Sequence, residues 1–361
     1  MKRNGIQHST PKQQITKLKS QNLEITNEKF AEAQLLKYGY SNLIKSYREP
    51  YTYIKDGRKI YRTGVTFEQI HSLYMLDKNL RNSVMAAMLD LEEHIKEVAA
   101  DVVSNSFGVH QDNYLNFRNY RDRNTSKVRF SLKNILKTMR DTLNTDKNPI
   151  AHYNRVHNTV PPWILFKSIY FSTMINFIKL FKPKEQLQMV KRLYNIHEFE
   201  LSNNSLRMLM IDTLFIALEY RNIAAHGGRT YNYTCNSALR SNQIFSSSDT
   251  NGTFFGFSDF LVLLKMLKYQ EPYIRLAQTL SDEVNRHCNH FPQDVTYLGQ
   301  VLNIDITESI MVYISPRSQK YHTLPHCSGI RNAERIEYED AVSLGYVPCQ
   351  KCAKELSSNI S

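Results

Sequence analysis

Three side chains just before a pair of glycines carry groups suited to acid–base chemistry on a phosphate ester. Arg221, Asn222 and His226 lie within six residues, and Gly227-Gly228 follows. Histidine is the side chain whose ordinary pKa lies near neutrality, and arginine carries a permanent fork of donors that matches a phosphate. Together they suit cleavage of a phosphodiester by its own 2′-hydroxyl, without a metal, while Asn222 orients the imidazole or the phosphate.

A long helix must position these side chains. Apolar residues recur there at intervals of three and four: Leu206, Leu209, Met210, Thr213, Leu214, Ala217, Leu218 and Ile223. Glycine accepts the left-handed conformation that closes a helix, so Gly227 and Gly228 are expected to end it. Asn222 and His226 then share one face. The alternative is structural, because a histidine or arginine in a last turn also interacts favourably with the helix dipole.

The stretch Arg221 to His226 resembles the Arg-x4-6-His signature of HEPN-fold ribonucleases, in the form found in the Abi family of phage abortive-infection proteins (AbiD/AbiF-like). Other stretches between residues 10 and 235 resemble that family's blocks in the same order: Thr10–Leu18, Thr66–Asp77 followed by Leu80-Arg81, and Pro161–Ile164. The resemblance implies an all-α fold, a HEPN-type helical bundle, with Arg221, Asn222 and His226 as catalytic residues. It also implies a homodimer in which two such helices face each other.

The same resemblance implies a metal-independent endoribonuclease that acts as an antiviral toxin in abortive infection. Some similar proteins are encoded beside a small non-coding RNA that restrains them, and we expect such an RNA partner here. Attack by the 2′-hydroxyl would leave products with 2′,3′-cyclic phosphate ends.

Composition favours a polyanionic partner. Lysine and arginine total 46 against 34 acidic residues in 361, a net charge of +12. Nucleic acid is the polyanion that explains this charge most simply. No stretch reaches the length of an apolar membrane span, and the N-terminus lacks the apolar core of a signal peptide. We therefore expect a cytoplasmic protein with no membrane partner.

Two groups of residues are candidates for RNA contacts. The loop-like stretch after residue 107 holds the first choices for phosphate contacts: Arg118, Arg121, Arg123, Lys127 and Arg129. Arg229 and Tyr231 follow the catalytic helix and would hold substrate, although anchoring of the loop is their alternative role.

A third stretch, from Tyr38 to Tyr61, alternates tyrosines with lysines and arginines. Stacking plus charge is how single-stranded RNA is bound, but an amphipathic rim packed on the core has the same composition, and both interpretations stay open. Arg81 and the Asp90–His94 cluster lie on a predicted helix, continuous or broken once, from Thr66 to about Ser106. A neighbouring charge can serve a HEPN site, while an acidic cluster is more often a solvated face.

Cysteines near the C-terminus predict a metal site. Cys349-x-x-Cys352 has zinc-knuckle spacing, and a Cys and a nearby His lie about 22 residues upstream. The pattern resembles a small zinc-binding motif appended to various nucleases, which implies the ligands His322, Cys327, Cys349 and Cys352, with His326 as the alternative. Such a set favours structural Zn2+ in a small α/β module over a redox pair. His287, Cys288 and His290 do not converge from one helix face and are expected to be structural.

The predicted domains are a basic, aromatic and helical region (1–65), a HEPN-like helical domain (66–235), a linker (236–256), a helical extension (257–304) and the zinc-binding module (305–361). Within the second, the apolar stretch from Pro161 to Ile178 predicts one buried core helix. Two other functions remain open. One is a non-catalytic RNA-binding scaffold or sensor, and the other is a partner of a nucleotidyl- or AMP-transferase modified near Tyr231 or Tyr233.

Overall fold

The computed structural model describes residues 8–123, 127–195, 201–236, 256–304, 306, 311–315, 318–324, 327, 330 and 332–353. Most of this part of the chain is helical. The helices are α1 (Pro11–Ser20), α2 (Glu28–Tyr38), α3 (Phe67–Phe107), α4 (Gln111–Tyr114), α5 (Leu132–Leu143), α6 (Ile150–His157), α7 (Pro162–Leu165), α8 (Phe171–Lys179), α9 (Pro183–Leu193), α10 (Asn203–Ala225), α11 (Phe257–Lys265), α12 (Glu271–His290), α13 (Val295–Leu302) and α14 (Tyr338–Ser343). No helix of the described residues is both long and apolar enough to cross a bilayer.

The strands form two small sheets. They are β1 (Thr52–Lys55), β2 (Arg58–Tyr61), β3 (Met311–Ser315), β4 (Ser318–His322), β5 (Glu334–Glu337) and β6 (Val347–Pro348). A mostly helical chain with a small sheet near the C-terminus confirms the coarse architecture that the sequence predicted.

The chain divides into two compact units. One comprises residues 81–278, and the other comprises residues 1–80 together with 279–361. The linear boundaries drawn from the sequence stay predictions.

Helix α10 lies at the core of the 81–278 unit, where it packs on α8, α9 and α11. The side chain of Ser202 accepts a hydrogen bond from the Ser205 N–H at 3.1 Å and so caps the start of the helix. Leu209, Met210 and Ala217 are fully buried, as the spacing of apolar residues predicted. Burial of this face fixes the direction in which the end of α10 points within the unit.

The prediction of one helix from Pro161 to Ile178 is wrong. The segment is broken into α7, a 3-10 turn at Phe166–Ser168 and α8, with extended backbone at Ile169 (φ −94°, ψ 134°). The physical reason is that apolar residues are nearly continuous here, so one straight helix would leave many of them in water. The break lets both α7 and α8 bury their own apolar faces.

The N-terminal region is not wholly helical, which corrects a second prediction. Strands β1 and β2 form an antiparallel hairpin with Thr52 opposite Tyr61, and a π-helical turn at Ser41–Lys45 precedes it. The hairpin turns at Asp56-Gly57, where both residues have positive φ (50° and 73°). Asp-Gly between strand-like residues is a sequence pattern for such a turn and would have predicted the hairpin.

The C-terminal sheet has the strand order β5-β3-β4-β6. Strand β3 is antiparallel to β4 and β5, and β4 runs parallel to β6. The strand-like Met311–Ser315 stretch is confirmed as β3. Its small core consists of Val312, Ile314, Tyr321, Ala341, Cys349 and Ala353. A core of this size stabilises little by itself, so a further source of stability is expected.

Candidate active site

The end of α10 is closed by the two glycines, as the sequence predicted. The helix ends at Ala225, and Gly227 adopts a left-handed conformation with φ 70°. The Gly228 N–H donates to the Ile223 carbonyl at 2.9 Å, which satisfies one of the last carbonyls of the helix. His226 is therefore the residue that leaves the helix, with its backbone held by a hydrogen bond to the Asn222 carbonyl at 3.0 Å.

Arg221 and Asn222 are in contact, and His226 stands slightly apart. Arg221 Nη1 donates to Asn222 Oδ1 at 3.4 Å, and both side chains are half-buried. Within the described part of the chain, the Arg221 Nε is buried and has no hydrogen-bond partner. The His226 side chain is exposed, and among the described residues no hydrogen bond joins it to the side chain of Arg221 or Asn222. The three predicted residues thus share the end of one helix, with the imidazole facing water.

A second arginine reaches the same helix end from α3. Arg81 Nη1 donates to the carbonyls of Gly227 (3.4 Å) and Gly228 (3.3 Å). A cation at this position interacts favourably with carbonyl oxygens and with the negative end of the helix dipole. The sequence placed Arg81 on α3 but gave no means of locating its guanidinium beside His226.

The loop after α10 folds back on the helix. Glu219 accepts hydrogen bonds from the Tyr233 hydroxyl (3.0 Å) and the Asn236 N–H (2.8 Å). Burial raises the pKa of Tyr233 to about 12, and its hydrogen bond to the Glu219 carboxylate acts in the same direction. Tyr220 stacks on Phe260 of α11 with ring centroids 4.2 Å apart. These contacts hold the last turns of α10 in place.

Tyr231 is fully buried, so this conformation favours loop anchoring over a contact with substrate. Arg229, two residues earlier in the chain, is half-buried. Tyr233 is half-buried, and its hydroxyl donates to the Glu219 carboxylate at 3.0 Å.

The predicted phosphate-contacting loop divides into two kinds of residue. Arg121 donates to the carbonyls of Phe181 (2.8 Å, from Nε) and Lys179 (3.1 Å, from Nη2), so its guanidinium closes the end of α8. The other four are exposed: Arg118, Arg123, Lys127 and Arg129. The exposed four remain candidates for RNA contacts, while Arg121 has a structural role.

Four residues of the C-terminal module come together as the sequence predicted. Their ligand atoms all lie within 4.8 Å of one another: His322, Cys327, Cys349 and Cys352. His322 ends β4, and the parallel pairing of β4 with β6 brings Cys349 beside it, with the Cys349 N–H donating to the Tyr321 carbonyl at 3.0 Å. The alternative ligand His326 lies outside the described residues.

Two distances in this cluster match those of a tetrahedral metal site. Cys327 Sγ and Cys349 Sγ are 3.8 Å apart, and Cys352 Sγ and His322 Nδ1 are 3.5 Å apart. A tetrahedral zinc ion with Zn–S of about 2.3 Å and Zn–N of about 2.0 Å requires separations of about 3.8 and 3.5 Å. The cysteines are free thiols, so the cluster is able to hold a metal ion.

Comparison with known proteins decides the family. A family model described as Abi-like protein matches residues 33–232, which is more than half of the chain. The chain belongs to the Abi-like protein family. Membership implies a role in abortive infection and defence. No match was found among curated proteins or among solved structures.

The Abi-like match includes α10 with Arg221, Asn222 and His226, and it also includes Arg81. The metal cluster lies outside it. The region that defines this Abi-like protein as a family member is therefore the one that carries the candidate active site.

Proposed function

We propose that this Abi-like protein is a defence toxin with a HEPN-type bundle, in which the end of α10 cleaves RNA without a metal. The observation that supports it is the meeting of two guanidinium groups and an exposed imidazole at one helix end. Fixed positive charge beside a group that exchanges protons near neutral pH is what in-line attack by a 2′-hydroxyl requires.

In the proposed reaction the 2′-oxygen attacks phosphorus and the bond from phosphorus to the 5′-oxygen breaks. His226 accepts the proton of the 2′-hydroxyl or supplies a proton to the departing 5′-oxygen. Arg221 stabilises the negative charge that develops on the phosphoryl oxygens, and Asn222 holds the Arg221 fork through their contact. The products carry a 2′,3′-cyclic phosphate and a 5′-hydroxyl.

One α10 helix supplies one imidazole, whereas both proton transfers are needed in each turnover. We propose that a homodimer brings the α10 ends of two protomers together. Each His226 would then perform one of the two transfers.

The test is cleavage of a 5′-labelled RNA by the His226→Ala variant. We expect a loss of about 10²- to 10⁴-fold in rate with binding retained, because an acid–base catalyst is removed while the arginines stay. His157→Ala is the matched control, since His157 is also exposed and ends a helix of the same unit. Equal activity of the wild type and both variants would refute the proposal.

The metal cluster has a separate role in this proposal. Four protein ligands fill a tetrahedral shell and leave no open position, so a bound Zn2+ would stabilise the C-terminal module and would not activate water. Chelation by EDTA is then expected to leave cleavage intact unless the module unfolds.

A small non-coding RNA is the proposed restraint. The net charge of +12 and the exposed Arg118, Arg123, Lys127 and Arg129 favour a tightly held polyanion. These residues equally support the second candidate function, a non-catalytic RNA-binding scaffold or sensor. The two functions separate on His226→Ala, because a pure binding protein has no cleavage to lose.

A further inference from the structure

Several polar atoms in the unit of residues 1–80 and 279–361 are buried without a hydrogen-bond partner among the described residues. Three of them are donors of the N-terminal region: the hydroxyls of Tyr40 and Tyr61 and the Nε of Arg48. The Tyr61 side chain is almost wholly enclosed, with 1% of its surface exposed. Buried donors are nearly always satisfied in folded proteins, so a group of three points to a missing acceptor.

The backbone around these residues is held firmly. Tyr61 ends β2, where its N–H donates to the Gln21 carbonyl at 2.9 Å and its carbonyl accepts from Asn22 Nδ2 at 3.1 Å. Arg48 follows the π-helical turn, and its carbonyl accepts from the Thr52 hydroxyl at 3.0 Å. The elements therefore position these side chains, although the two hydroxyls and the Arg48 Nε have no hydrogen-bond partner in the described part of the chain.

The side chains of Tyr40, Arg48 and Tyr61 are close enough to shift one another's pKa values electrostatically. Burial raises the pKa of Tyr61, the Tyr40 hydroxyl raises it further, and the Arg48 guanidinium lowers it. Burial also raises the pKa of Tyr40, and Arg48 again opposes that shift. Among the described residues, no carboxylate contributes to either shift.

Two lysines add positive charge. Lys17 Nζ lies 5.9 Å from the centre of the Tyr40 ring, and Lys45 Nζ lies at the same distance. Both lysines are exposed, so their flexible chains are able to move and admit a ligand. The site thus combines two hydroxyl donors, a guanidinium N–H and two mobile ammonium groups.

We propose that Tyr40, Arg48 and Tyr61, with Lys17 and Lys45, form a binding site for a phosphate group. A phosphate supplies several acceptor oxygens and the negative charge that this set of donors lacks. The site lies in a different unit from the end of α10, so it goes beyond the proposed cleavage. The phosphate belongs to an RNA chain or to a small phosphorylated molecule. The RNA source rests on the proposed function, whereas the small-molecule source is independent of it.

The test uses the full chain carrying His226→Ala, so that RNA stays intact. Thermal unfolding is measured in inorganic phosphate and in chloride at equal ionic strength, and binding of a labelled single-stranded RNA is measured by anisotropy. Arg48→Gln is compared with Arg58→Gln, which removes the same charge from the exposed hairpin. Tyr61→Phe, which removes one unpartnered oxygen, is compared with Tyr53→Phe at an exposed position.

We expect phosphate to raise the unfolding temperature of the His226→Ala parent, and Tyr61→Phe and Arg48→Gln to abolish that shift. Tyr61→Phe should not lower the unfolding temperature in chloride, because the hydroxyl it removes has no partner. If RNA is the source, Arg48→Gln weakens RNA binding about tenfold and Arg58→Gln does so only slightly.

A phosphate shift with unchanged RNA affinity identifies a small phosphorylated ligand as the source. The absence of any phosphate-dependent shift, or equal effects of Arg48→Gln and Arg58→Gln in both measurements, overturns the proposal. Absence of cleavage by the wild type refutes the proposed ribonuclease but leaves this site intact, so the two failures are distinguishable.

Discussion

Two arginines meet the end of α10 in different ways. Arg221 lies on the helix itself, half-buried, and contacts Asn222. Arg81 comes from α3 and donates to the carbonyls that follow the helix. Arg81 therefore fixes the loop beside His226 and also adds positive charge there. Removing it should disturb the site without removing any group that exchanges protons.

Arg81→Ala is expected to lower the rate of RNA cleavage about tenfold, because a charge near the developing phosphoryl charge is lost and the glycine carbonyls lose a donor. The measurement is single-turnover cleavage of a labelled RNA. Arg140→Ala is the control, since Arg140 also donates to a backbone carbonyl, that of Leu115 at 2.7 Å, but does so elsewhere in the unit. Equal losses in the two variants would indicate a general effect on stability.

The sequence predicted the site residues that lie on α10 but not the contacts that other parts of the chain make with them. Arg221, Asn222 and His226 follow from local periodicity and from the glycines that close the helix. The contact between Arg81 and Gly227 joins residues 146 positions apart and arises from packing, which no local pattern reports. The burial of Tyr231 is of the same kind, because it depends on how the loop folds back on α10.

A buried carboxylate joins several elements of the unit formed by residues 1–80 and 279–361. Asp294, just before α13, accepts hydrogen bonds from Tyr51 (2.6 Å), Gln69 (2.9 Å) and His287 (2.9 Å), and the other ring nitrogen of His287 contacts the Ser72 hydroxyl. The structural role expected for His287 is consistent with these contacts. The network connects the N-terminal region, α3 and α12 within this unit.

The network predicts a pH dependence of stability. Burial raises the pKa of Asp294, but the hydrogen bonds from His287, Tyr51 and Gln69 outweigh it, so the pKa lies below its ordinary value. A lowered pKa contributes stability above the unfolded-state pKa of about 3.9, and that stability is lost as the pH falls through the folded-state value.

Asp294→Asn should therefore lower the unfolding temperature at pH 7, and its difference from the wild type should shrink below about pH 4. Thermal unfolding at both pH values measures this. Asp56→Asn, in the exposed hairpin turn, is the control. Any destabilisation by loss of metal in acid affects the wild type and both variants equally, so it does not change the differences between them. A constant difference across the pH range would show that the charge of Asp294 does not contribute.

Substitution of one predicted zinc ligand tests the metal centre of the C-terminal module. Cys349→Ser is expected to reduce bound zinc from one ion to none per chain and to unfold the module, because three ligands hold zinc far less tightly than four and the apolar core is small. Metal analysis of the purified protein and near-UV circular dichroism are the measurements. Cys235→Ser, at a cysteine outside the cluster, should retain one zinc. Retention of zinc by Cys349→Ser would disprove this set of ligands.

Helices were easier to predict where a single helical spacing of apolar residues continued along the whole segment. The predicted helix from Thr66 to about Ser106 is found as Phe67–Phe107, and the glycines end α10 as expected. The Pro161–Ile178 stretch was harder, because nearly continuous apolar residues give no period and the break at Ile169 depends on what each half packs against. The hairpin was missed although Asp56-Gly57 indicated it.

The whole chain carries a strong excess of positive charge, and an RNA partner would explain it. We expect the purified protein to show an absorbance ratio at 260 and 280 nm well above that of protein alone, and sequencing to identify one defined small RNA at fixed stoichiometry. A wash at high salt should lower the ratio, because contacts with phosphates release counterions. Heterogeneous fragments, or no RNA, would argue against a dedicated RNA partner while leaving ribonuclease activity possible.

The most direct test of the proposed ribonuclease is mass spectrometry of the ends of RNA products made by the wild-type protein in EDTA. We expect 2′,3′-cyclic phosphate and 5′-hydroxyl ends, no cleavage of the same sequence with 2′-deoxyribose, and almost no product from His226→Ala. Products with 5′-phosphate ends, or cleavage of the deoxy substrate, would contradict attack by the 2′-hydroxyl and the role assigned to His226.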